Sequence, residues 1–284
     1  MKHLTVCLAW ALLLAGCANV QQSRPLQADL AGKGLQLTRA LPSPLPAGSA
    51  AIPGTQYIIV SAGSTVAQLV DMLNPIPFVG GLAEDEMRKR QASGYRSHYA
   101  QVDPFAIATA QLAGSPLLSG QSGALPLKPL VYIMEGSDAR WRLSLVFRVE
   151  APNWVGRFMY HLPTTYSSEE MASASSSTVD TLRQEIAAGS DVLRQLMERD
   201  ARGELKGSGT QAEFGSLYII GRDLAGVVSA SRLPFGKAEI IEEGPDYMVL
   251  RASGDLHADA ATGALAYGVH YFRREQLNEF RKKP

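Results

Sequence analysis

Trp141, Leu143, Leu145 and Phe147 alternate with Arg140, Arg142, Ser144 and Arg148, and this period of two commits the middle of the chain to a strand with one buried face. Ala151-Pro152-Asn153 then turns the chain, and Trp154 to Leu162 supplies an antiparallel partner. A different period follows. Val179, Leu182, Ile186, Gly189, Leu193 and Leu196 recur at steps of three and four, over too short a stretch for a coiled-coil seam. The pattern predicts a helix laid on the sheet, with Gly189 permitting close approach. Ser167 with Glu170, and Ser177 with Asp180, each match a capping box. After Gly203, strands are expected at Phe214–Ile220, Ala238–Ile241, Tyr247–Arg251 and Leu265–Phe272, with turns at Glu243–Asp246 and Asp259–Gly263. Strands in runs beside a few long helices give an α+β fold, a largely antiparallel sheet packed against those helices.

The first half of the chain is less regular. Tyr57 to Val60 has strand composition, and Val66, Leu69, Val70 and Leu73 predict a helix ended by Asn74-Pro75. Polar residues, prolines and the Gly80-Gly81 pair make the apolar stretch from Tyr57 to Leu82 core rather than a membrane span. Glu84, Asp85 and Glu86 precede Arg88, Lys89 and Arg90 by one turn each, the pattern of a solvated helix face. Asp103-Pro104 reads as a cap with proline at the first helical position, turning Phe105, Ala108 and Leu112 inward. Gly114 to Gly123 is a loose stretch, and a short polar helix carrying Leu277 and Phe280 is expected at the end. Residues 17–56 hold Pro25, Pro42, Pro44, Pro46 and Pro53, and are expected to be a Pro-rich tether ahead of a globular domain over residues 57–284. The segment from Leu35 to Leu41 could instead pair with that domain.

The extreme N-terminus has its own signal. A charged tip at Lys2, an apolar run from Leu4 to Leu14 and small residues after it are the parts of a secretory leader over residues 1–16. Leu14-Ala15-Gly16-Cys17 resembles the lipobox of bacterial lipoproteins. The resemblance covers about the first twenty residues and is silent on the rest. It implies cleavage before Cys17, which would become the mature N-terminus and carry a diacylglycerol and an amide-linked acyl chain such as palmitate. More than one chain is what stable anchoring takes. Ala18, where an aspartate would favour the inner membrane, implies the outer membrane, with the protein facing the periplasm. A cut after Ala18 is the alternative and would release a soluble periplasmic protein.

Composition removes several classes of function. The chain has 27 Lys and Arg against 27 Asp and Glu, and no basic cluster of the kind a nucleic-acid partner needs. Of its two cysteines, Cys7 leaves with the leader and Cys17 is the lipidation site, so no disulfide or free thiol serves the domain. No serine elbow, dinucleotide fingerprint or P-loop occurs, and neither a cofactor nor a metal is expected. His98, His161, His257 and His270 lack the spacing of a helix-borne metal site and read as surface or packed residues. Asp255, His257 and Asp259 form the best catalytic candidate, because residues two apart on a strand would set the imidazole between two carboxylates. The plainer reading is a polar strand entering a turn. Trp141, Trp154, Phe158, Tyr160 and Tyr166 would bind a glycan only if exposed, and their placement predicts packing instead.

These features point first to a non-enzymatic lipoprotein held at the bilayer through Cys17. It would act as scaffold, assembly or accessory factor for another envelope protein. A carrier or receptor for lipid, glycan or small ligand is the second reading and requires a deep cavity. A hydrolase resting on Asp255, His257 and Asp259 is the third.

Overall fold

The computed structural model describes residues 23–26, 28–45, 49–60, 86, 89–90, 92–136, 138–213, 216–222, 228–234, 237–253 and 267–276. The expected helix at Val66–Leu73, the turn at Asp259–Gly263, and Leu277 and Phe280 lie outside them.

The hairpin forms as the alternation requires. Strand β5 (Trp141–Ala151) pairs antiparallel with β6 (Trp154–His161) across a two-residue connection, with Ala151 opposite Trp154. On its other side β5 pairs with β4 (Leu125–Glu135), Leu145 standing opposite Val131. These three are the middle of a ten-stranded sheet. Beyond β6 come β12 (Gly268–Arg273), β11 (Tyr247–Ala252), β10 (Lys237–Glu243) and β7 (Gln211–Glu213). Beyond β4 come β3 (Tyr57–Val60) and β2 (Ser49–Ala51), while β1 (Leu35–Leu37) pairs with the start of β4. Three contacts, β1 with β4, β3 with β4 and β12 with β6, are parallel, and the others in the sheet are antiparallel. The fold is α+β, with a mostly antiparallel mixed sheet packed against a few helices.

The structure moves the start of the folded part back from Tyr57 to Leu26. Leu26, Leu30, Leu35, Ala50 and Ile52 are buried, and β1 and β2 belong to the sheet. Proline removes a backbone donor and fixes φ, which prevents a central strand but not packing. Leu41 and Leu45, set among those prolines, lie against the sheet. Arg39 also grips Asp103 at 2.7 Å and lies 4.3 Å over the Phe105 ring.

The helices cover one face. Helix α3 (Pro104–Leu112), preceded by α1 (Ala28–Ala31) and α2 (Arg96–Tyr99), is capped by Asp103, whose carboxylate accepts from the Phe105 and Ala106 amides. Helix α4 (Ser168–Ala172) carries the expected capping box of Ser167 and Glu170. Helix α5 (Ser176–Ala201) buries the whole predicted stripe, and its five aliphatic members contribute ~1.5–3 kcal/mol each. Its cap is Ser175 rather than Ser177, because the chain is still extended at Ser175 and that hydroxyl accepts from the Thr178 amide. At Gly189 an added Cβ would sit 2.5 Å from Cδ1 of Tyr160, so the glycine sets how closely α5 approaches β6. Exposed Glu86 and Arg90 meet at 3.6 Å, the one-turn pairing expected there.

The other face corrects the half-buried reading of β5. Ser144, set on the polar face by the alternation, is 1% exposed, and Val146 on the same face is 0% exposed. They belong to a second layer with Tyr132, Met159, Leu250 and Phe272, leaving Arg142 and Arg148 at its rims. The C-terminal half differs in detail too. The strand expected at Phe214–Ile220 forms as β8 (Ser216–Arg222), which leaves the main sheet for a separate hairpin with β9 (Val228–Pro234), while β7 just ahead of it joins the main sheet. The turn at Glu243–Asp246 forms, closed by the Gly244 amide donating to the Tyr247 carbonyl. Among the described residues no helix is long and apolar enough to cross a membrane.

Candidate functional site

Cys17, Asp255, His257 and Asp259 lie outside the described residues. Of the other histidines, His98 is half-buried at the rim of a cleft, whereas His161 and His270 come together.

Parallel pairing of β12 with β6 sets His270 opposite Met159, one step along the same face from His161. Nε2 of His161 lies 3.1 Å from Nδ1 of His270, and the Ser144 hydroxyl lies 2.9 Å from Nδ1 of His161. The two imidazoles are parallel within 5°, and Phe272 stacks on His161 at 4.1 Å. Burial first, and the neighbouring His270 second, hold the His161 pKa well below the ordinary histidine value. A neutral chain satisfies every atom of the contact: Ser144 donates to Nδ1 of His161, whose Nε2–H donates to His270. Serine, histidine and a second histidine in hydrogen-bond series can relay a proton. The hydroxyl, however, belongs to a residue 1% exposed and inside a central strand. The chain of groups fastens β5, β6 and β12 in register. Sequence reasoning treated the two histidines separately because 109 positions divide them.

The aromatic residues pack as expected. Trp141, Trp154, Phe158, Tyr160 and Tyr166 are all under 8% exposed, so they form no binding row on the surface. Trp141 Nε1 donates to Ser168 and Trp154 Nε1 to the Arg24 carbonyl. The cleft between α4, α5 and β5, lined by His98, Tyr99, Leu143, Tyr166 and Met171, has about 20 Å³ of room for a molecule. That suits a single water and falls far short of a ligand cavity.

A second polar group lies on the same face as the histidines. Lys128 stands opposite Arg148, and Arg148 opposite Arg157, in one row across β4, β5 and β6. Glu150 reaches Lys128 at 2.5 Å and Arg148 at 2.6 Å. Arg157 is 1% exposed and, among the described residues, none of its three guanidinium nitrogens has a hydrogen-bond partner. Read from the sequence, Arg157 is simply an outward residue of β6. Its isolation follows from the covering of the second face, which the sequence does not announce.

A buried ion pair fixes the N-terminal segment. Asp200, at the end of α5, holds Arg251 of β11 at 2.8 Å and accepts the Leu26 amide at 2.8 Å. The chain matches no family model, no curated protein and no solved structure.

Proposed function

We propose that this is a lipoprotein anchored through Cys17 in the outer membrane, facing the periplasm. There it works as a scaffold or accessory factor for another envelope protein. The observation that carries the reading is Leu14-Ala15-Gly16-Cys17 so close ahead of a pinned segment. Nine residue steps separate Cys17 from Leu26, so the anchor allows ~30 Å of reach at full extension. A domain leashed that tightly acts on what stands at the bilayer surface. Its buried histidines, sealed serine and packed aromatics leave the outer surface as the working part.

The test is the intact mass of the protein extracted from membranes, alongside a Cys17→Ser variant. A chain beginning at Cys17 with acyl mass added, and a variant that leaves the membrane fraction, are expected. A soluble, unacylated protein would sink the reading. Crosslinking on the native membrane then asks whether one envelope protein is captured by the acylated form and lost with Cys17→Ser.

A further inference from the structure

We propose that the row of Lys128, Arg148 and Arg157, which runs from the rim at Arg148 to the buried Arg157, is a binding site for a phosphate-type oxyanion, with the Tyr132 hydroxyl as an additional donor. The proposal stands apart from the lipoprotein reading, since it concerns a face of the sheet and not the anchor.

Neighbouring strands lie ~4.8 Å apart, so three cations in directly opposite positions share a stretch of roughly 10 Å. Like charges placed opposite one another on a sheet repel. Among the described residues one carboxylate, Glu150, answers them, and it is shared by Lys128 and Arg148. Arg157 has the ring of Tyr267 5.9 Å from its guanidinium carbon and is influenced by Tyr132 and Arg148. An arginine does not escape burial by losing its proton. Burial pulls its pKa below the ordinary arginine value without a carboxylate to offset the effect. Tyr132, on the same face of β4, also buries a hydroxyl without a partner.

Among the described residues, the five N–H donors of Arg157 and the O–H of Tyr132 thus have nothing that accepts from them. Three cations less one carboxylate leave a surplus of two positive charges. A dianion with several acceptor oxygens matches both counts, and the planar guanidinium fork fits two oxygens of a phosphate at once. A carboxylate ligand would answer only half of the charge. Nucleic acid is disfavoured, because the chain carries no excess of basic charge.

The experiment uses the full mature protein, dialysed and first assayed for phosphorus, so that a copurified occupant counts as binding. Thermal unfolding is then followed against inorganic phosphate, with chloride at matched ionic strength as control. A second arm uses short-chain phosphatidic acid below its micelle concentration. A midpoint raised by ~4–8 °C at saturating phosphate, relative to chloride, is expected. Arg157→Met should abolish the rise while leaving the phosphate-free midpoint unchanged or higher, since it removes an unpaired charge. Should Arg157→Met fail to fold, Tyr132→Phe serves instead and should weaken the apparent affinity several-fold. A response to inorganic phosphate identifies a free ion as sufficient; a response to phosphatidic acid alone identifies a lipid headgroup. Phosphorus-free protein that responds to neither beyond chloride overturns the proposal, as does Arg157→Met with the full response.

Discussion

Asp200 should be among the costliest positions in the chain to change, and its neighbours say by how much. Its side chain, 1% exposed, holds the Arg251 guanidinium through one oxygen and the Leu26 amide through the other. Asp200→Ala strands Arg251, which among the described residues keeps the Leu205 carbonyl at 3.4 Å. Removing one partner of a buried pair costs ~3–5 kcal/mol, and an orphaned buried amide ~1–3. The two losses overlap, so about 4 kcal/mol is expected. Arg251→Met should cost ~3 kcal/mol, since Asp200 still holds Leu26. The double variant Asp200→Leu with Arg251→Met should lie within ~2 kcal/mol of the wild type, because no buried charge is left unpaired. Asp200→Asn retains an acceptor for Leu26 and separates the amide from the charge. Urea unfolding reads all four; at a slope of ~3 kcal/mol/M, Asp200→Ala moves the midpoint down by ~1.3 M. Hydrogen exchange at the Leu26 amide should lose protection in Asp200→Ala and keep it in Asp200→Asn. A loss below ~1 kcal/mol for Asp200→Ala, or single costs that simply add in the double variant, would refute the reasoning.

Gly189→Ala offers about 1 kcal/mol in helix propensity but drives a methyl to 2.5 Å from a Tyr160 ring that Tyr271 backs at 5.4 Å. Overpacking of ~1–3 kcal/mol wins, so the thermal midpoint should fall by several degrees, and a rise would show that α5 can shift outward. His161 is held neutral by burial first and by His270 second, and Ser144 and Phe272 also lie against it. Above the unfolded pKa near 6.5 neither state binds the proton; below it the unfolded chain does and the folded one does not. Stability relative to His161→Gln should therefore be constant above pH 6.5 and fall below it by up to ~1.4 kcal/mol per pH unit until the folded pKa is reached. A difference that is flat or rises over that window refutes the assignment.

Periodicity made β5, β6 and α5 legible, because each is long enough for its burial pattern to repeat. The strands β1 and β2, of three residues each, carry no such repeat, and the prolines between them pointed to a tether. Prolines report missing donors, and edge pairing with β4 and β3 tolerates them. Strand β9 was not expected, because Ser229 and Ser231 leave its seven residues without a clear apolar repeat. The cap of α5 slipped by two because Ser175, Ser176 and Ser177 are chemically equivalent; the path of the incoming chain chooses among them. The covered second face was the largest omission. Ser144 is compatible with water or with a buried histidine, and only the distant His161 and His270 decide between them. Arg157 likewise looks solvated until strands from the far end of the chain close beside it.

Arg24, near the start of the described chain, and the cationic row lie toward one end of the sheet. Trp154, the first residue of β6, donates to the Arg24 carbonyl, and Arg157 follows three residues along the same strand. Tyr267, whose ring faces the Arg157 guanidinium, is itself influenced by Ser23 and Arg24. Seven residue steps separate Cys17 from Arg24, so an acylated Cys17 would hold this end of the sheet within ~25 Å of the headgroup layer at full extension. Phosphate esters are concentrated in that layer, so with the proposed anchor in place a lipid headgroup would be a phosphate source close to the row. The arrangement also gives the surplus charge a purpose. A guanidinium left without a counter-ion destabilises the folded chain in free solution, and under the proposed anchoring an anion supplied at the bilayer would offset that cost.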